Sequence, residues 1–377
     1  MSSKFNFESP REQSLIKSQI VSKYFSAWSK VFYKQDRLGY IDLFSGPGIY
    51  ENGIESTPML ITRHCIEDEK LRDKICLIFN EKDKDLYKQL KSNLSTLNLE
   101  KLKFTPKIHN ICVDYNTPKI FKSPFIPCFS FIDPAGYAGL SLELLSNLGK
   151  DFGSDLLFFF NFNDINRAIN NPKVKDHMIH LFGESHFNSL SAKLNKLNTD
   201  NPTNKNSIRE NIVINEISEA LQDCGLQYIL PFRFKFEKKD RTSHYLIFAS
   251  KHVLGFNIMK EIMYNTGEKD INGIGKFEFI PACDKENYQL SIINMFDTSI
   301  EDFKNHLLNT YSGKTILLKD LYYLDTVNNK FIMKQYQEAL TDLEEKDKIQ
   351  CNPPFTKRMI RKGIRTMNPK KVTIAFP

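Results

Sequence analysis

The chain has 377 residues, 41% of them hydrophobic and 26% charged, enough apolar material for a sizeable core, which excludes a disulfide mini-protein and wholesale disorder. No apolar run approaches the ~20 residues of a membrane-spanning helix, and Met1 to Arg11 is polar with no signal-peptide core, so a cytoplasmic protein without membrane contact is expected. The net charge is +7, and eight basic residues with no acidic one lie in Lys348 to Pro377; this end suits a polyanion, and it reads equally as a solvated tail.

In chain order, Ile16, Ile20, Tyr24 and Trp28, with Val21, Phe25 and Phe32, fall at helical steps and predict an amphipathic helix over 11–34. Gly39 to Gly48 reads as a short strand that breaks into a glycine turn. A helix near Pro58 to Asp68, a strand at Lys74 to Asn80, a helix near Asp85 to Leu97, and strands at Asn110 to Asp114 and Cys128 to Asp133 follow. Next come a helix at Ser141 to Gly149 and a strand at Leu156 to Phe162. Strands alternating with helices predict an α/β fold, a Rossmann-like doubly wound sheet.

A helix opens at Asn171-Pro172, and a variable stretch rich in Asn and Lys runs to Ser207. The helix Ile208 to Leu221 ends on Gly225. Tyr228 to Glu237 and Ser243 to Ser250, joined by Lys238 to Arg241, predict an antiparallel hairpin, the way the class I methyltransferase variant of such a sheet ends. From Ser299 the pattern becomes helix (Ile300 to Thr310), helix (Leu317 to Leu324), helix (Ile332 to Lys346), then β-prone ends at Lys348 to Cys351 and Lys371 to Phe376. This order predicts a C-terminal winged-helix-like domain over 299–377, after an α/β domain over 1–298. Its third helix is the expected groove reader on a duplex, and Lys357, Arg358, Arg361, Lys362 and Arg365 at the ribbon tip are the expected nucleic-acid contacts. Winged helices also dock proteins, so both kinds of partner stay open.

The turn Asp42-Leu-Phe-Ser-Gly-Pro-Gly48 suits a nucleoside ligand, because Gly46 and Gly48 let the backbone approach it. A dinucleotide would want a third glycine at position 51; Glu51 stands there instead, putting negative charge where a pyrophosphate would lie. S-adenosylmethionine, a sulfonium cation without phosphate, suits an acidic turn better. Glu81 at the end of the second strand is placed for the ribose hydroxyls and Asp114 at the end of the third for the adenine amine; each also reads as ordinary helix-start or turn chemistry. Phe44 joins Asp42, Gly46, Gly48, Glu81 and Asp114 as a candidate cofactor contact.

The fourth strand ends Phe131-Ile-Asp133-Pro134-Ala-Gly136-Tyr137. Amino methyltransferases carry Asp or Asn followed by Pro-Pro and an aromatic residue here, to accept the target amine's hydrogens and stack on a flipped base. Asp133 and Pro134 fit, the second proline is missing, and Tyr137 stands one residue late. These three are the candidate catalytic residues, and a plain tight turn is the alternative. Asn161, Asn163, Asn166 and Arg167 at the end of the fifth strand read as an acceptor pocket or as helix-capping chemistry. The seven cysteines form no C-x-x-C and sit mostly in apolar strings, so they read as buried thiols in a reducing compartment. His177, His180 and Glu184 read as a solvated helix face, and no metal is expected.

Together these segments resemble the three-Cys-motif partner (TcmP) proteins, which look like class I S-adenosylmethionine-dependent methyltransferases. The resemblance rests on Tyr40 to Gly48 with Ser56-Thr57-Pro58, Phe79-Asn80-Glu81, Phe131 to Tyr137, Phe158 to Asn163 with Asn166, and Tyr245 to Ser250 followed by Gly255 and Met259. It covers about residues 12 to 265. Glu81 stands where the family often has Asp, keeping the carboxylate, and Ala135 where a bulkier residue is common. The resemblance implies S-adenosylmethionine as cofactor and a separate three-cysteine-motif protein as partner. The expected activity is methyl transfer to an amino group of a nucleic-acid base. The competing expectation is a non-catalytic interaction protein that docks its cysteine-bearing partner through the C-terminal domain.

Overall fold

The first strand, β1 (Leu38–Asp42), and the fourth, β4 (Cys128–Ile132), are buried along their whole length and pair in parallel at the middle of an eight-stranded sheet. Burial on both faces explains why each reads as a near-continuous apolar run, relieved only by Asp42 at the end of β1 and Ser130 within β4. The computed structural model describes residues 12–114, 117, 126–137, 139–200, 202–236, 239–270, 273–280, 299–361 and 364–377. Two compact units are present, Met1–Thr266 with Glu278–Cys283, and Gly267–Phe277 with Asp284–Pro377.

In the first unit β2 (Ile75–Asn80), β3 (Lys107–His109), β5 (Asp155–Phe160), β6 (Tyr228–Phe236), β7 (Lys239–Ser250) and β8 (Glu278–Phe279) complete the sheet, in the order β3-β2-β1-β4-β5-β7-β6-β8. The first five strands run parallel, and the β6–β7 hairpin enters antiparallel to β5. The fold is therefore the α/β sheet with a terminal hairpin that the sequence pattern predicts. Strand order reverses between β1 and β4, and in open sheets ligands bind beyond the carboxyl ends of the strands at that point.

The helix Glu12–Val31 covers one face with Tyr24, Phe25 and Trp28, whose rings pack on Tyr40 and Phe129. Each of these large side chains, essentially solvent-free, contributes roughly 1.5–3 kcal/mol by burial. On the other face Ile41, Ile132, Phe158 and Phe160 join one cluster with side chains of the helices Leu142–Gly149, Lys175–Phe182, Glu184–Asp200 and Lys205–Asp223.

Three expectations are corrected. The strand expected at Asn110 to Asp114 lies earlier, at Lys107–His109. Asn80 Oδ1 accepts the Ile111 N–H at 3.1 Å, and Asn110 Nδ2 donates to the Glu81 and Lys82 carbonyls at 2.7 and 3.0 Å. Side-chain amides thus hold this segment where ladder bonds would be needed. The stretch expected to be variable contains the helix Glu184–Asp200, which buries Phe187, Leu190, Leu194 and Leu197 at spacings of three and four. Of the described cysteines only Cys65 and Cys128 are buried; Cys112 is exposed, while Cys76, Cys224 and Cys351 are intermediate. Cys283 lies outside the described residues.

The second unit holds the helices Ile300–Thr310, Leu318–Asp325 and Met333–Glu345 around Phe303, Leu321, Tyr336 and Leu340. A small antiparallel sheet follows the order β10-β13-β9, from Gln350–Asn352, Thr373–Ala375 and Thr315–Leu317. The strand Thr315–Leu317 was not expected. Between β10 and β13 the short hairpin β11 (Ile360–Arg361) and β12 (Ile364–Arg365) carries the basic segment.

Candidate functional site

The glycine turn after β1 is braced from three sides. Asp42 Oδ1 accepts the Phe44 N–H at 3.1 Å, and the Ser45 N–H donates to the Asn80 carbonyl at 3.0 Å. Glu81 Oε2 accepts the Gly46 N–H at 3.0 Å, while its Oε1 accepts the Asp83 N–H at 2.9 Å. Gly46 and Gly48 have φ of 63° and 84°, the left-handed region that glycine enters without strain. At Gly48 a Cβ would also come within 3.1 Å of Leu90 Cδ1. Glu81 therefore ties the second strand to the turn, a bracing role the spacing alone did not reveal.

Asp42 is buried, and its carboxyl is pushed up to about 8. Burial is the largest cause; the Phe44 N–H pulls the other way, and the charges of Asp133 and Glu81 push up further. Side chains at the ends of β2 and β4 thus bear on the carboxyl at the end of β1, at the switch point. Tyr50, just past the turn, is pushed up to about 12 by burial and by Asp133 and Asp42.

Asp133 meets a partner that the sequence reading missed. Lys17, from the helix Glu12–Val31, donates to Asp133 Oδ2 at 2.6 Å and lies 4.6 Å from the centre of the Phe159 ring. The available signal was a lysine four residues before Val21, at the head of an apolar helical line. Beside it, His244 packs between Phe159 and Phe234 with ring centres at 4.4 and 4.5 Å. Burial holds this imidazole well below its usual range, and Lys17 adds to the effect.

Pro134 is buried, and Tyr137 packs its ring edge-on to His177 at 6.3 Å. Asp114 lies in a bend beyond β3, its N–H held by Thr117 Oγ1 at 2.7 Å, so it does not end a strand. Asn161 caps the helix Phe162–Ala168: its Oδ1 accepts the Asp164 N–H at 3.2 Å and its Nδ2 donates to Asp164 Oδ2 at 2.7 Å. Asn163 and Arg167 also bond to Asp164, and Asn166 Oδ1 accepts from Arg209 Nε at 2.5 Å. Asn161 thus caps the helix start, Asn163 and Arg167 gather on Asp164, and Asn166 ties this helix to Arg209.

In the second unit Arg358 is buried, paired with Glu344 and donating from Nε to the Pro353 carbonyl at 3.1 Å. This corrects its expected place on the surface, because a buried, paired guanidinium has no face for a phosphate. Lys357 is exposed, and Arg365 donates to the Thr356 and Arg358 carbonyls. Arg361 belongs to β11, and Lys362 lies outside the described residues. The helix Met333–Glu345 turns Lys334, Glu338 and Glu345 outward, and Lys334 pairs with Glu338.

Residues 281–354 match the model of the GMT-like wHTH domain, so the second unit carries a winged-helix domain. No curated protein matches the chain. Similar solved structures include protein LPL1258 from Legionella pneumophila, at 10% identity and a TM-score of 0.37, covering 66% of this chain and 86% of that one. An rRNA methylase from Streptococcus thermophilus gives 11% and 0.29, over 58% of this chain and 88% of that one. Trm1 from Pyrococcus horikoshii, in complex with S-adenosyl-L-methionine, gives 11% and 0.35, over 70% and 61%. Likenesses this distant say nothing of chemistry, which has to be read from the residues. Among the described residues no helix is long and apolar enough to cross a membrane.

Proposed function

We propose that the chain is an S-adenosylmethionine-dependent methyltransferase acting on an exocyclic amino group of a nucleic-acid base. The observation that carries this reading is the set of acidic side chains at the switch point, where Asp42 is buried beside a turn with two left-handed glycines and is raised in part by the charges of Asp133 and Glu81. Such a site attracts a ligand bearing a sulfonium and an ammonium, and it repels a pyrophosphate. Bound there, S-adenosylmethionine would supply a methyl group on a positively charged sulfur. Asp42, Phe44, Gly46, Gly48 and Glu81 would hold it, with Asp114 near the adenine, and Asp133 would accept a hydrogen of the incoming amine. In-line transfer depends on positioning more than on acid-base chemistry, and the braced turn supplies that.

Calorimetry with S-adenosylmethionine tests the reading: native protein that binds none ends it. Asp133→Ala should abolish methyl transfer to DNA or RNA and leave cofactor affinity nearly unchanged. A second reading is favoured by one observation: Met359 and Ile360 on the basic hairpin are 64% and 57% exposed. In that reading the C-terminal domain docks a protein, the three-cysteine-motif partner, and cofactor affinity persists without transfer to any base.

A further inference from the structure

Asp133 and Lys17 are paired but not saturated. The pair uses Asp133 Oδ2 and one ammonium hydrogen at 2.6 Å. Among the described residues Oδ1 accepts no hydrogen bond, and the side chains remain 24% and 13% exposed. A buried salt bridge made only for stability is a poor bargain unless its remaining lone pairs and protons find partners. Here one spare acceptor and two spare donors lie side by side, the ammonium over the face of Phe159. A second observation marks the same patch as polar and incomplete: His244 is 6% exposed and packs on Phe159, and its Nε2 is buried with no hydrogen-bond partner.

Building on the function proposed above, we propose that Lys17 and Asp133 together read the acceptor base, the carboxylate taking a hydrogen of its NH₂ and the ammonium donating to the neighbouring ring nitrogen. That edge, an amine beside an unprotonated ring nitrogen, is presented by adenine and by cytosine. Guanine presents a ring N–H beside its amine on the pairing edge, and Lys17 repels it. The pair also sets where the methyl goes. In free adenine and cytosine the ring nitrogen is the better nucleophile; with its lone pair held by Lys17, only the exocyclic nitrogen can attack. That nitrogen's electron pair forms the new N–CH₃ bond as the C–S bond breaks, its electrons stay on sulfur, and the surplus proton leaves from the Asp133 side. Lys17 is thus a specificity and positioning residue.

The test measures binding of thymidine nonamers, each carrying one adenine, cytosine, guanine or 1-deazaadenine, to full-length protein saturated with S-adenosylhomocysteine. 1-Deazaadenine keeps the amine and lacks the ring lone pair. Native protein should bind the adenine or the cytosine nonamer about tenfold tighter than the guanine one, and adenine about tenfold tighter than 1-deazaadenine where adenine is the base taken; where cytosine is taken, a 3-deazacytosine nonamer replaces it. Tenfold corresponds to 1.4 kcal/mol. Lys17→Arg should keep the preference and Lys17→Met should lose it, with products shifting toward the ring-methylated base. Equal binding of the amine-bearing base and its deaza analogue by native protein overturns the inference without need of any variant. So does a preference retained in Lys17→Met. Cofactor affinity, measured separately, tells the two failures apart: if it is present while the preference is absent, the inference alone falls.

Discussion

Tyr24 Oη donates to Asp155 Oδ2 at 2.6 Å, joining the first helix to the start of β5 across 131 residues of chain, with both groups buried. Burial raises Asp155 to about 6, while hydrogen bonds from Ser250 and Tyr24 hold it lower than burial alone would. Its native value exceeds its unfolded one, so the folded protein binds the extra proton between about pH 4 and 6. This group's contribution to stability therefore falls as pH rises through that window, by on the order of 3 kcal/mol. Asp155→Asn should flatten the urea midpoint between pH 4 and 6. Tyr24→Phe should lower stability at pH 7 by about 1–3 kcal/mol, more than at pH 4.

Asp42, raised to about 8, is largely protonated at neutral pH. A bound cation favours the ionised form, so S-adenosylmethionine should bind with release of up to about one proton at pH 7, and affinity should rise from pH 6 to pH 8. Titration in buffers of different ionisation enthalpy counts the protons. Asp42→Asn should abolish the release; a proton count of zero in the native protein would contradict the cofactor's place at Asp42.

Glu81 holds the Gly46 and Asp83 N–H groups. Glu81→Ala should therefore weaken cofactor binding by ~1–3 kcal/mol, as expected when buried donors lose their acceptor. Amide exchange at Gly46 should speed up in the variant, a change that loss of a ribose contact alone would not produce.

Replacing Arg358 should destabilise the second unit by roughly 3 kcal/mol, since it leaves the half-buried Glu344 without its cation and with only the Phe355 N–H as partner. Changing Lys357, Lys370 and Lys371, all exposed, to glutamine should leave the thermal midpoint unchanged. If these lysines contact phosphates, the salt slope of DNA binding should flatten by roughly 0.9 for each. An unchanged slope would move the second unit toward protein docking.

How far the sequence could be read follows from how local each interaction is. β1, its glycine turn and the β6–β7 hairpin were legible because burial on both faces, left-handed glycines and alternation each leave a pattern within a few residues. The end of β3 was misplaced because Ile111 to Val113 has strand-like composition, while the asparagines that hold it outside the ladder act through side-chain bonds to β2. Lys17 was missed for a related reason: its bond to Asp133 spans 116 residues, and no spacing rule reaches that far. Arg358 counted as one more surface cation until its burial against Glu344 became visible. The crowd of polar residues after β5 fits a pocket and a cap equally well in the sequence, which does not show the bonds of Asn161 to Asp164 and of Asn166 to Arg209.

The margins of the large sheet have a consequence for the protein's company. Among the described residues the outermost strands are β3, three residues long, and β8, two residues long. Each offers at most one or two free backbone pairs, too few for a second chain to extend the ladder. Polymerisation by strand addition at these two edges is thereby discouraged, in a sheet whose inner strands are among the most apolar segments of the chain.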